Sequence, residues 1–177
     1  MRCRSTRLGA VAHFEIDPRR SSVHIAGSSS VHPITADANG LSGWFEVSLR
    51  SRKLLATPNL ASELSVPVEL LEPGNSLVDR ETRRRIDAQR HPEIAGKVLT
   101  SHRIDTDSME VTGTIAFRGE TREVTGTLNL EASGEDLILS GEQTFDVREW
   151  GLRLPRLGLL RVHPEVTVSI HLHGTPG

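Results

Sequence analysis

The chain has 177 residues and a net charge of −2, with 21 Lys and Arg against 23 Asp and Glu. This length suits a single domain, and a near-neutral chain offers no strong electrostatic field to nucleic acid. Two Trp, four Phe and no Tyr also provide few surfaces for base stacking, so no nucleic-acid partner is expected. The single cysteine, Cys3, excludes an intrachain disulfide and a cysteine-based zinc site.

The N-terminal sequence MRCRSTRLGAVAHFEID is basic but lacks the apolar core of a secretory signal. No apolar run approaches the roughly 20 residues that a transmembrane helix needs. We therefore expect a cytoplasmic protein in which residues 1–12 form a flexible N-terminus and residues 13–174 form a single domain.

Along the chain, the dominant pattern is alternation of apolar and polar residues, which gives a strand one buried and one solvated face. It fills residues 23–31, 43–49, 63–70, 109–117, 123–130, 137–147 and 165–172, and more weakly 13–17 and 97–104. Arg118-Gly119-Glu120 predicts a hairpin turn, because Gly119 readily adopts a positive φ. Many half-buried strands in series predict an antiparallel barrel or sandwich.

Two segments depart from the alternation. After the turn sequence EPGNS (72–76), residues 77–90 lack a period of two and predict a helix that ends before Pro92. Residues 151–164 form a connection that combines Leu with Arg, as segments on membrane surfaces do.

Four glycines, Gly27, Gly113, Gly126 and Gly141, share the inward phase of their strands. A glycine in a strand permits a bend or the close approach of another group. The four glycines therefore either allow barrel corners or leave a channel open for an apolar ligand, and small barrels of both kinds exist.

Six segments have a recognisable order and spacing. They are FEIDPRRSSVHI (14–25), GLSGWFEVSL (40–49), DRETRRRIDAQRHPEIAGKV (79–98), MEVTGTIAFRGETREVTGTLNL (109–130), FDVREWG (145–151) and VHPEVTVSIHL (162–172). Together they resemble the YceI-like family of lipid-binding, or polyisoprenoid-binding, proteins, many of which are periplasmic. The resemblance implies an all-β fold: an antiparallel lipocalin-like β-barrel with one inserted α-helix, which holds a long isoprenoid or fatty ligand inside.

We therefore expect a non-catalytic binding or carrier protein without a cofactor or metal, whose partner is an isoprenoid or fatty-acid-like lipid. The predicted barrel lining consists of Val23, Ile25, Phe45, Val47, Val66, Val68, His102, Val111, Ile115, Phe117, Leu128, Leu139, Gln143, Phe145, Val168 and Ile170. Arg148 and His163 are predicted head-group contacts at the barrel mouth, where a guanidinium can bind a phosphate or carboxylate with two hydrogen bonds.

Three alternatives remain open at this level. A filled barrel would instead act as a structural or interaction module, through residues 151–164 or the Arg-rich helix. The 151–164 connection could also make a transient membrane contact or a dimer contact. A barrel enzyme would need a polar cluster in the channel, for which His102 and Gln143 are available. The sequence contains no catalytic signature, and by parity His171 and His173 point to solvent rather than to a metal.

Overall fold

The computed structural model describes residues 10–73, 84–154, 156–157 and 159–177. Within them the chain forms a succession of β-strands, two short 3₁₀ turns, Val68–Leu70 and Val147–Trp150, and a short helical segment at residues 84–86. The strands are β1 (Ala10–Ile16), β2 (Ser22–Ser28), β3 (Pro33–Asn39), β4 (Ser42–Arg50), β5 (Lys53–Leu54), β6 (Ala61–Pro67), β7 (Glu72–Pro73), β8 (Glu93–Arg103), β9 (Ser108–Phe117), β10 (Glu120–Ser133), β11 (Asp136–Asp146), β12 (Arg156–Leu157), β13 (Leu160–Arg161) and β14 (Glu165–Pro176).

Eight of these strands close an antiparallel barrel in the order β1-β4-β6-β8-β9-β10-β11-β14, with β14 returning to β1. One edge of the last strand, β14, pairs with β11. Its other edge is shared between two partners. Residues 167–171 of β14 pair with β2, whereas residues 174–176 pair with β1. Strands β2, β3 and β7 therefore continue the sheet at one end of the barrel, and β1 and β4 complete it at the other.

The end completed by β1 and β4, which we call the filled end, is densely packed. Phe14 and Phe45 stack there with ring centroids 5.2 Å apart and an interplanar angle of 18°. Phe45 has no exposed surface, and Met109 is equally buried. Gly174 is required beside them, because a Cβ at this position would lie 2.3 Å from Phe45 Cζ.

The predicted alternation is confirmed in the long central strands. Met109, Val111 and Gly113 of β9 are buried while the residues between them remain partly accessible. The predicted hairpin turn is also confirmed, since Arg118 and Gly119 have φ values of 54° and 78°. Positive φ at both central residues is the geometry of a two-residue hairpin loop.

A β-bulge in β8 changes the phase of that strand. Val98 pairs with Gly113 and Thr100 pairs with Thr112, so Leu99 is an extra residue. Leu99 is 56% exposed, and the residues after it face opposite sides from those that strict alternation predicts.

His173 lies in a polar cluster near the end of β14. It is 3% exposed, and its Nε2 lies 2.8 Å from Asp136 Oδ2, which also accepts a hydrogen bond of 3.1 Å from Arg20 Nη1. The Ser21 hydroxyl accepts a hydrogen bond from the His173 backbone N–H. The prediction that His173 points to solvent is therefore wrong, because the β1–β2 connection packs over the outer face of β14.

Two predicted boundaries also differ. Strand β1 begins at Ala10 and pairs there with Leu49, so residues 10–12 belong to the sheet and not to a flexible end. Half of the predicted helix, residues 77–83, lies outside the described residues. Residues 84–86 are helical, but Asp87 has a φ of 55°, and this left-handed conformation ends the helix before the predicted end at residue 90.

Replacing Gly174 tests the packing of the filled end. Gly174→Ala should lower the free energy of unfolding by about 2 kcal/mol, because the new methyl group overpacks against Phe45 in a core without space. Gly96→Ala is the matched control, since its Cβ would meet no atom closer than 4.0 Å. Urea unfolding of both variants measures the difference, and equal stabilities would contradict this account of the filled end.

Asp136 predicts an acid dependence of stability. The hydrogen bond from His173, assisted by Arg20, holds the pKa of the Asp136 carboxyl below its usual value. A lowered folded-state pKa stabilises the fold above the ordinary aspartate pKa, and this contribution is lost as the pH falls through the lowered value.

Asp136→Asn removes this titration. Its stability deficit against the unmodified protein should therefore be largest near neutral pH and shrink between about pH 5 and pH 2. Urea unfolding across this range measures the deficit. A deficit that does not change with pH would contradict the assignment.

Candidate functional site

The other end of the barrel, which we call the hollow end, encloses a cavity of about 420 Å³. Its wall comes from β2, β3, β6, β8, β9, β10, β11 and β14, and none of its described lining residues belongs to β1 or β4. The wall is almost entirely apolar. A volume above about 300 Å³ with an apolar wall is typical of small-molecule sites.

Most of the predicted lining residues lie on this wall. They are Val23, Ile25, Val66, Val68, Val111, Ile115, Phe117, Leu128, Leu139, Gln143, Phe145, Val168 and Ile170. Several of them stay partly accessible although they face inward, because the interior beside them is empty. Their contact with a ligand stays a prediction.

Three predicted lining residues lie elsewhere. Phe45 and Val47 have no exposed surface and belong to the core of the filled end, because inward phase alone does not tell which end of a barrel is occupied by side chains. His102 lies on the outer face, with its Nε2 3.2 Å from Glu110 Oε1. The bulge at Leu99 reverses the phase of β8 before His102 is reached.

The inward glycines serve two different purposes. A Cβ at Gly113 would lie 2.1 Å from the Lys97 carbonyl oxygen, and a Cβ at Gly141 would lie 2.7 Å from the Thr127 carbonyl oxygen. These two glycines therefore permit the close approach of neighbouring backbone. A Cβ at Gly27 would lie 3.5 Å from its nearest atom, and a Cβ at Gly126 would lie 3.4 Å from its nearest atom. Both of these atoms belong to side chains that face the cavity.

A cap that alternation does not reveal completes the cavity. Trp150 is 3% exposed and donates a hydrogen bond of 3.0 Å from its indole Nε1 to the Ile115 carbonyl. It also packs edge-on against Phe145, with ring centroids 5.9 Å apart and an interplanar angle of 86°. Ile86 and Leu152 line the cavity beside it. They lie in connections where period two does not apply, so the sequence pattern missed them.

Arg118 joins the two pieces of this cap. Its Nε donates a hydrogen bond of 3.0 Å to the Arg85 carbonyl, and its Nη1 donates one of 3.0 Å to the Trp150 carbonyl. The guanidinium therefore holds the short helical segment and the Val147–Trp150 turn together.

A groove of about 550 Å³ adjoins the cavity, and we call it the basic groove. It is lined by Arg148, Gly151, Leu152, Arg153, Leu154, Arg161, Val162, His163 and Pro164. Five of these residues, Leu152, Arg153, Leu154, Val162 and His163, also line the cavity. The two spaces therefore meet at this side of the hollow end.

The two predicted head-group residues both lie in the basic groove, although both have partners. Arg148 makes a two-pronged ion pair with Asp146, with Nε–Oδ1 and Nη2–Oδ2 distances of 2.9 Å and 2.5 Å. Hydrogen bonds from Arg148 lower the pKa of the Asp146 carboxyl, and the same pair raises the pKa of Arg148. His163 Nδ1 lies 2.8 Å from the Ser28 hydroxyl.

Arg153 and Arg161, which belong to the Leu- and Arg-rich connection 151–164, are two exposed arginines of the groove. Within the described residues neither guanidinium has an ion-pair partner. No carboxylate belongs to the described lining of the groove, so its charge favours an anion.

Comparison with known proteins agrees with this architecture. The family model described as YceI-like domain matches residues 14–174. The chain belongs to the YceI-like family. Among solved structures, BcnA of Burkholderia cenocepacia superposes with a TM-score of 0.76 at 15% identity, covering 90% of this chain and 99% of BcnA. A YCEI protein of Campylobacter jejuni superposes with a TM-score of 0.62 at 10% identity, covering 77% of this chain and 82% of the other.

At these identities the superpositions show a shared fold. No curated protein matches the chain. The YceI-like barrel described here has no group of three His, Cys, Asp or Glu side chains arranged to hold a metal ion in its described part. Among those same residues, no helix is long and apolar enough to cross a membrane.

Weakening the hydrogen bonds from Arg118 to the Arg85 and Trp150 carbonyls should loosen the cap of this YceI-like barrel. Arg118→Lys leaves a charge at the same backbone position but cannot donate to both carbonyls. Backbone amides of Gly151 and Leu152, which donate to Arg148 and Val147, should then exchange about tenfold faster. Hydrogen exchange followed by mass spectrometry measures this. The control Arg103→Lys removes a hydrogen bond to the Leu54 carbonyl and should leave the exchange rates of these amides unchanged. Equal acceleration of exchange in both variants would contradict the role of Arg118 in holding the cap.

Proposed function

We propose that this protein is a non-catalytic carrier that holds a long apolar lipid, of isoprenoid or fatty type, in the cavity of the hollow end. The observation that carries the proposal is the apolar interior of about 420 Å³ inside an otherwise well-packed barrel. An empty apolar space costs stability because its lining loses dispersion contacts, and an apolar ligand restores them.

Burial supplies the affinity in this proposal. Each methylene group transferred from water contributes about 0.8 kcal/mol, so a long hydrocarbon chain binds firmly without many polar contacts. The Gln143 side chain lines the cavity, and its amide can form a hydrogen bond with a polar group along the ligand chain.

The polar end of the ligand would lie in the basic groove. His163 borders both the cavity and the groove, which supports its predicted role as a head-group contact. Arg148 would contact an anion while it is paired with Asp146. Arg153, like His163, borders both the cavity and the groove. An anionic head group would therefore meet Arg153 and His163 first.

The hollow interior favours this carrier over a filled-barrel interaction module. The finer expectations stay predictions. They are the lipocalin-like character of the barrel, its inserted helix, the absence of catalysis and of a cofactor, a cytoplasmic location and a dimer.

Blocking the cavity tests the proposal. Val168 lies on the wall and pairs with Ile25 and Gln143. Val168→Trp should fill the space and reduce lipid uptake at least tenfold, because each excluded methylene group forfeits its burial. The measurement is native mass spectrometry of gently purified protein, with lipid extraction, and titration with a fluorescent polyene fatty acid.

Ser169→Trp is the matched control, because Ser169 is the next residue of β14 and its hydroxyl bonds to Glu142 on the outer face. It should bind lipid like the unmodified protein. Thermal unfolding by circular dichroism verifies that both variants fold. Equal uptake by the two variants, or no uptake by the unmodified protein when isoprenoid and fatty lipids are offered, would overturn the carrier proposal.

A further inference from the structure

The β12–β13 hairpin presents an apolar side chain to solvent beside the cavity. Leu159, in the turn between these strands, is 94% exposed. The neighbouring β2–β3 turn carries Val31, which is 68% exposed. We call Val31 and Leu159 the apolar tip.

The two turns of the apolar tip are joined by backbone and side-chain hydrogen bonds. Ser30 N–H donates to the Arg161 carbonyl at 2.8 Å, and the Ser30 hydroxyl donates to the Leu159 carbonyl at 3.1 Å. Arg161 N–H donates back to the Ser30 hydroxyl at 3.0 Å. The hairpin is therefore held against the β2–β3 turn, and both apolar residues belong to the same end of the barrel.

The apolar tip lies next to positive charge and next to the cavity. Ser29 bridges to Val162, and Val162 lines both the cavity and the basic groove. Arg153 and Arg161 line the same groove. Exposed aliphatic side chains flanked by arginines are the composition that inserts into the head-group region of an anionic bilayer.

We propose that the apolar tip and the basic groove dock this protein on an anionic membrane surface, with the cavity opening towards the lipid. This inference rests on the proposed carrier function, since a carrier for an insoluble ligand must exchange that ligand with a bilayer. Two apolar residues are too few for the roughly 800 Å² that each partner contributes to a stable protein interface, whereas shallow insertion into a bilayer needs no such area.

Vesicle flotation tests the docking. The full chain should float with phosphatidylcholine vesicles that contain phosphatidylglycerol, and much less with phosphatidylcholine alone or at high salt. Leu159→Asp should reduce the bound fraction about tenfold, and Arg153→Gln or Arg161→Gln about fivefold each, as expected for one charge near an anionic surface.

Ile104→Asp is the matched control, because Ile104 is 54% exposed but lies in the β8–β9 turn, at the filled end. It should float like the unmodified protein. Equal losses for Leu159→Asp and Ile104→Asp, binding that does not depend on phosphatidylglycerol, or no flotation at all would overturn the docking.

Uptake of the fluorescent fatty acid from solution separates this inference from the function on which it rests. Leu159→Asp should take up the probe normally while failing to float. An unmodified protein that takes up the probe but does not float overturns the docking and leaves the carrier. One that floats but takes up neither this probe nor isoprenoid lipids overturns the carrier proposal, and with it the role assigned to docking.

Discussion

The shared edge of β14 is the constraint on which the rest of the structure depends. Its C-terminal residues pair with β1 and its middle residues pair with β2, so one strand belongs to two differently completed ends of one barrel. Where β1 and β4 complete the wall, Phe14 and Phe45 occupy the interior. Where β2 and β3 complete it, the interior holds the cavity. The filled end thus provides the packing that lets the hollow end remain open.

The hollow end needs support of another kind, because its side chains have no dense core to pack against. Polar contacts of the cap supply it. Arg118 bonds to two carbonyls from separate connections, and the Trp150 indole bonds to a carbonyl of β9. Such bonds fix the cap without filling the space beneath it. Fewer packed side chains would have to separate for the cap to open than for the filled end, which would suit the proposed carriage of a long ligand.

The cavity, the basic groove and the apolar tip form a continuous series at one side of the hollow end. Val162 and His163 line both the cavity and the groove, and Ser29 joins Val162 to the turn that carries Val31. Apolar space, positive charge and exposed aliphatic side chains follow one another in that order. The apolar space and the positive charge match the tail and the head group of an anionic amphiphile, and the exposed aliphatic side chains match a bilayer, which is why carriage and membrane exchange are proposed for one site.

The sequence by itself determined the antiparallel strands, the hairpin at Arg118 and Gly119, and which residues of β9 and β14 face inward, because side-chain alternation is a local property of a strand. The order and spacing of its segments also determined the family. Tertiary structure decided the rest. The bulge at Leu99 moved His102 outside, a crossing connection buried His173, and the shared edge of β14 put Phe45 in the core but left Val168 beside a cavity. Each depends on which distant strand lies alongside, and a period of two carries no information about that.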